Sequence, residues 1–165
     1  MVCISGGEPT VRKDLPEVTR VLAQRHFPTL ITNGWFMTPE LARSLYEAGM
    51  QEISVSVDYA SAARHDHRRG ISGSWRRAID ALKHLQAAAD KRSTRYYMNA
   101  VLLEDNAEDV EPLLKLSEDL GVPFRLTLYS PHRGSMRSPN PDIVENLLTL
   151  KRRYPHFVSL TGYLT

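Results

Sequence analysis

The apolar positions of this chain switch between two periods, and the switches mark its elements. Val2 to Ser5 is a short apolar run that stops at Gly6 and Gly7. After it, Leu15, Val18 and Leu22 recur at helical spacing to about Arg25, and Asp14 with Glu17 has the spacing of a capping box. A second strand, Thr29 to Thr32, meets the turn Asn33-Gly34. Thr38 then caps a helix with Pro39 in its first turn and Leu41, Leu45 and Ala48 along one side. Gly49 ends that helix, and the strand Glu52 to Val57 follows.

A longer loop leads to a helix starting near Ser74, with Ile79, Leu82 and Leu85 apolar. The strand Arg95 to Leu103 comes next. Asn106 is placed to cap a helix whose buried side is Val110, Leu113, Leu114 and Leu120, closed by Gly121. The strand Phe124 to Tyr129 precedes a last helix from Asn140-Pro141 to about Tyr154, and a short apolar piece, Phe157 to Leu160, trails it. Five strands alternating with five helices predict an α/β fold, a parallel sheet covered by helices through right-handed crossovers. The pattern leaves two architectures open: a doubly wound open sheet, or part of a barrel.

The faces of the strands bear on that choice. Ile53, Val55 and Val57 share one face, while Ser54, Ser56 and Asp58 share the other. Phe124, Leu126 and Leu128 likewise oppose Arg125, Thr127 and Tyr129, and Asn99 is accompanied by Tyr97 and Val101. Parallel strands packed on both faces read as continuous apolar runs. Here one face suits helices, and the other suits the polar interior of an incomplete barrel around a ligand. The alternative is one water-facing side of an open sheet.

At 165 residues the chain is one domain or part of a larger one. A net charge of +2 is too small to argue for nucleic acid. No run of about 18 apolar residues offers a membrane span, and no signal segment is visible. The single cysteine, Cys3, excludes an internal disulfide and fits a cytoplasmic protein. Its position within a strand reads as a small core residue.

Ligands bind at the carboxyl ends of parallel strands. Those ends carry Ser5-Gly6-Gly7-Glu8-Pro9, Thr32-Asn33-Gly34, Ser56-Val57-Asp58, Asn99, and Thr127 with Tyr129. The glycines let a ligand approach the backbone, and Glu8 adds a negative charge beside them. Ser56, Asp58 and Asn99 have the chemistry to hold ribose hydroxyls. Glu8 has a structural alternative as a turn cap or a partner of Arg12 or Lys13. Arg125 is placed to meet either a ligand carboxylate or an acid of the protein such as Asp58. Arg68, Arg69 and Gly70 read as a brace for the loop after the third strand, and Trp35 and Phe36 as a loop clasp or a substrate cover. His65 and His67 lack a third ligand, so no metal site is expected. None of the five lysines (Lys13, Lys83, Lys91, Lys115 and Lys151) lies on a strand, which argues against a Schiff-base barrel.

"SGGEP" after one strand, "TNG" after the next, "SVSVD" after the third and then "HDHRRGISGSWRRAIDALKHL" resemble the radical S-adenosylmethionine (radical SAM) superfamily. The likeness covers nearly all of residues 1–165 as strands two to six of a partial (β/α)6, TIM-like barrel, with the first β/α unit absent. It implies that Gly6, Gly7 and Glu8 bind the methionine amine of SAM. Ser56 and Asp58 would sit near its ribose or carboxylate, with Asn33, Asn99 and Thr127 in the same pocket and the Leu126 to Tyr129 backbone against adenine. "HFVSLTGYL" is similar to the segment that joins the barrel to SPASM or twitch extensions.

The family's Cys-x3-Cys-x2-Cys loop for a 4Fe-4S cluster has no counterpart here, and one thiolate cannot hold a cluster. The resemblance therefore implies a core domain, residues 1–165, clipped at both ends. Complete, it would cleave SAM reductively and abstract hydrogen from a small-molecule or peptide substrate, with flavodoxin or ferredoxin as electron donor. As it stands the chain is expected to be inactive. The alternative is a cluster-less, non-catalytic binding module.

Overall fold

A computed structural model describes residues 1–89, 94–103, 105–128 and 141–159. Five strands, β1 (Val2–Ile4), β2 (Pro28–Thr32), β3 (Glu52–Ser56), β4 (Arg95–Leu102) and β5 (Phe124–Leu128), form one sheet. Every pair is parallel, and the spatial order is the chain order, β1-β2-β3-β4-β5. A doubly wound sheet reverses its order at a switch point. This sheet never reverses, so successive crossovers of one hand lay the helices on one side, the progression of a barrel wall.

The helices are α1 (Leu15–Ala23), α2 (Pro39–Glu47), α3 (Ala62–Arg69), α4 (Ser74–Ala88), α5 (Val110–Asp119) and α6 (Pro141–Arg153). Leu45, Leu82, Leu85, Leu113 and Leu114 pack on Leu30, Ile53, Val55, Met98, Phe124 and Leu126 in one buried core. Beyond β5, Phe157 bridges Phe124, and Leu126 N donates to Ser159 Oγ at 2.8 Å. The expected trailing apolar piece therefore lies along β5 as far as Ser159. Tyr129, Asn140 and Leu160, with the loop between β5 and α6, lie outside the described residues.

Four local expectations change. α3 was expected to be loop: it has no apolar stripe, and His65 is its one buried residue. Polar ties hold it instead, since Arg64 pairs with Asp109, Arg69 with Asp58, and Gly70 closes it at φ +69. Its Asp66 accepts from Gly73 N, Ser74 Oγ and Trp75 N at 2.6, 2.9 and 2.8 Å, capping α4 from the preceding helix. The Asp14–Glu17 capping box does not form, because the Arg12 guanidinium takes the Asp14 carboxylate at 3.0 and 2.7 Å. Asn106 caps no helix; its buried amide instead accepts from Leu103 N and donates to Val101 O and Asp58 O. Cys3 is exposed rather than in the core, since its register with Thr29 puts it on the sheet face away from the helices.

Gly34 joins the second loop to α4. A Cβ there would stand 2.9 Å from Ala81 Cβ and 3.0 Å from Ala78 Cα, at φ +81. At Gly70, φ +69, a Cβ would meet nothing within 4 Å. We expect Gly70→Ala to lose about 1 kcal/mol from backbone strain alone. Gly34→Ala adds overpacking, for a total of about 2–4 kcal/mol. Urea denaturation of both variants checks this, and equal losses would show that the contact with α4 is not tight.

Candidate functional site

Side chains tie the carboxyl ends of the strands in pairs, β1 to β2 through Glu8 and β3 to β4 through Asp58. Gly6 and Gly7 have φ of +90 and +39, and a Cβ at either would meet nothing within 4 Å. Backbone conformation, not crowding, calls for glycine there, and the space above the loop is open. Glu8 follows, half-buried. Its Oε1 accepts from Thr10 N at 3.0 Å, Thr10 Oγ1 at 2.5 Å and Thr32 Oγ1 at 2.7 Å, and its Oε2 accepts from Asn33 N at 2.7 Å. Glu8 thus caps a 3-10 turn, Pro9–Val11, and joins the ends of β1 and β2. It does not pair with Arg12 or Lys13; among the described residues its donors are all uncharged.

Asp58, just past β3, is buried, and both of its carboxylate oxygens accept a hydrogen bond. Oδ1 accepts from Val101 N at 3.0 Å and Oδ2 from Arg69 at 2.6 Å. Its carbonyl takes Asn106 Nδ2, and its N–H donates to His65 Nδ1 at 3.3 Å. Arg69 is therefore the expected brace. Arg125 meets Glu52 rather than Asp58, at 2.6 Å, and stacks over Tyr97 with its guanidinium 4.0 Å from the ring centroid.

On the open face, Ser56 lies beside Asn99 in register, and Thr127 Oγ1 donates to Asn99 Oδ1 at 3.1 Å. Ser56, Asn99 and Thr127 thus form one polar row across three strands. Asn33 belongs instead to a cavity of about 320 Å³ shared with Trp35, Phe36, His65, Arg69, Ile71 and Ser74. Sequence reasoning missed this cavity, because it lies between the second loop and α3, the helix without an apolar stripe. Phe36 is 47% exposed and clasps nothing down. Trp35 lies under Arg77, 5.5 Å from guanidinium to ring centroid.

The sequence profile of the radical SAM superfamily matches residues 1–117. The chain belongs to the radical SAM superfamily. It is 32% identical over 123 residues to the "AdoMet-dependent heme synthase" of Methanosarcina barkeri, covering 74% of this chain and 34% of that protein. It is 34% identical over 120 residues to the "PqqA peptide cyclase" of Methylocella silvestris, covering 72% and 31%. The chain spans about a third of the length of these curated relatives. The fold matches Streptococcus suis SuiB bound to S-adenosylmethionine with a TM-score of 0.70 at 16% identity, over 92% of this chain and 36% of SuiB.

Radical SAM proteins use SAM and a 4Fe-4S cluster, and their chemistry is SAM-dependent radical chemistry. The residues present fit SAM: an open glycine loop, an acidic group with no counter-ion among the described residues, and a polar row of hydroxyls and an amide. They do not fit the cluster. The sequence has one cysteine, and among the described residues no three His, Cys, Asp or Glu stand close enough to hold a metal. Nor is any described helix long and apolar enough to cross a membrane.

His65 gives the site a pH dependence. Burial, and then the charge of Arg69, push its pKa down, with Asp58 and Asp66 opposing. The unfolded chain therefore binds this proton more readily than the folded one, from about pH 6.5 downward. The stability that His65 contributes is fully present above that pH and falls as the pH drops toward the folded value. Urea denaturation between pH 7 and 5 is expected to show this loss. His65→Asn, which keeps an acceptor near Nδ1, should flatten it; an unchanged slope would remove His65 as its source.

Proposed function

We propose that this chain holds SAM across the carboxyl ends of β1 to β5, as the core, residues 1–165, of a larger radical SAM enzyme. The carrying observation is the Glu8 carboxylate, held by four uncharged donations and paired with no arginine or lysine among the described residues. A carboxylate fixed in place and left un-neutralised favours a cationic ligand group, and the SAM ammonium is one. Gly6 and Gly7 let that ammonium reach the loop backbone. Ser56, Asn99 and Thr127 take the ribose, and the β5 backbone flanks the adenine. Asp58, engaged by Val101 and Arg69, joins the ends of β3 and β4 beside this row and offers the ribose only its remaining lone pairs. Asn33 donates its N–H to Glu8 and bounds the pocket toward the cavity.

When bound in a complete enzyme, SAM would supply radical hydrogen abstraction from the substrate. The part of these residues is to bind and orient it. The cluster thiolates come from outside these 165 residues. The enzyme's partners are a small-molecule or peptide substrate and a one-electron donor such as flavodoxin or ferredoxin, and no role on nucleic acid is assigned. Its place is the cytoplasm.

Titration of the chain with SAM, followed by amide resonances, tests the assignment. We expect shifts at Gly6, Gly7, Asn33 and Asn99, with Glu8→Gln weakening binding by about tenfold or more. Millimolar SAM that leaves these four resonances unmoved would sink it. SAM binding combined with an upstream coding sequence lacking cysteines would favour the cluster-less module.

A further inference from the structure

We infer that Thr32 is a positioning residue for this site. Its hydroxyl, together with that of Thr10, occupies Oε1 of Glu8 and leaves Oε2 as the atom that takes the ligand ammonium. The inference rests on the assignment of Glu8 to the SAM amine.

A carboxylate oxygen has about two lone-pair sites. Oε1 receives three donors, the N–H and hydroxyl of Thr10 and the hydroxyl of Thr32, so it has no capacity left. Oε2 receives only Asn33 N among the described residues and keeps one site open. The direction of the Thr32 proton is fixed. Its Oγ1 accepts from Gly34 N at 3.0 Å, so its own O–H is directed to Glu8. Thr32 is 2% exposed, and water does not compete for this bond. Gly34 is in turn wedged against Ala78 and Ala81 of α4. Helix packing thus sets the first donor of a relay that runs from Gly34 N–H to Thr32 Oγ1–H to Glu8 Oε1. Without the Thr32 bond, Oε1 is held only by the two Thr10 donors of its own loop, and the carboxylate loses the buried hydroxyl that sets its orientation from β2.

The test compares SAM with the analogue in which hydrogen replaces the amino group. The readout is the ratio of their dissociation constants in each variant, measured by calorimetry on the chain. A loss of packing weakens both ligands; a loss of carboxylate orientation weakens only the aminated one. Glu8→Gln should bring the ratio close to one. Thr32→Val, which keeps shape and removes the hydroxyl, should lower it about tenfold, and Thr32→Ser should restore it. A wild-type ratio in Thr32→Val, with the ratio lost in Glu8→Gln, would overturn the role of Thr32 while the amine site stands. A wild-type ratio in Glu8→Gln would remove the amine site and this inference with it. Should Thr32→Val fail to fold, Thr10→Val removes the other hydroxyl on Oε1 and carries the same expectation, and an unchanged ratio there overturns the inference.

Discussion

A sheet whose strands follow chain order without reversal has helices on one side only, and the rest of this structure answers that constraint. The helical side is apolar and dry: Ile53, Val55, Met98, Ala100 and Leu126 are buried beneath the leucines of α2, α4 and α5. No helix among the described residues covers the other side. Residues there must satisfy one another, face solvent or meet a ligand. Toward the amino ends of the strands they satisfy one another, with Glu52 pairing Arg125 and Arg125 stacking on Tyr97. Toward the carboxyl ends, Ser56, Asn99 and Thr127 retain hydrogen-bonding capacity. The division along one face, closed floor and open rim, is what makes the rim a site.

Loops above such a rim need fixing, because no helix packs across them. Side chains from one loop bind the backbone of the next. Glu8 takes the N–H of Asn33, Asp58 takes the N–H of Val101, and Asn106 reaches back to Asp58 O. Each bond joins neighbouring strand ends, β1 to β2 through Glu8 and β3 to β4 through Asp58 and Asn106. A further tie is made by Tyr59, whose hydroxyl donates to Asp105 at 2.9 Å while Arg64 stacks on its ring. Where such a bond is partly buried and its acceptor charged, as at Val101 N to Asp58, it is worth about 1.5–3 kcal/mol, and less where it is exposed, as at Asn33 N to Glu8. That is enough to hold loops that hydrophobic burial cannot reach.

The strands and most helices were legible because each carries its own period. The alternation in Glu52 to Val57 and the leucine stripe of the helix after Asn106 needed no tertiary context. α3 was illegible for the opposite reason: its residues, mostly polar, are held by partners 11 and 45 positions away in sequence. The capping errors have the same origin. Asp14 and Asn106 stand at helix starts, but Arg12 and the Val101–Asp58 backbone offer them stronger or more buried partners. At the site, the residue set could be read from strand-end position and family resemblance. What each carboxylate does could not, since that depends on which donors the fold brings to it.

The two acids at the rim show how much turns on this. Asp58 and Glu8 both sit just past a strand and both bind the N–H of a neighbouring strand or loop. Asp58 is also paired with a guanidinium at 2.6 Å, so its charge is neutralised within the protein and it serves as a joint. Among the described residues Glu8 is fixed by backbone amides and hydroxyls, which orient a carboxylate without cancelling it. In a half-buried setting the Coulomb energy of an uncompensated charge with an arriving ammonium is several-fold larger than in water. Fixing that charge beforehand means that binding need not bear the cost of ordering it. The same functional group, two strands apart, is thereby made structural in one loop and left ready for a cation in the other.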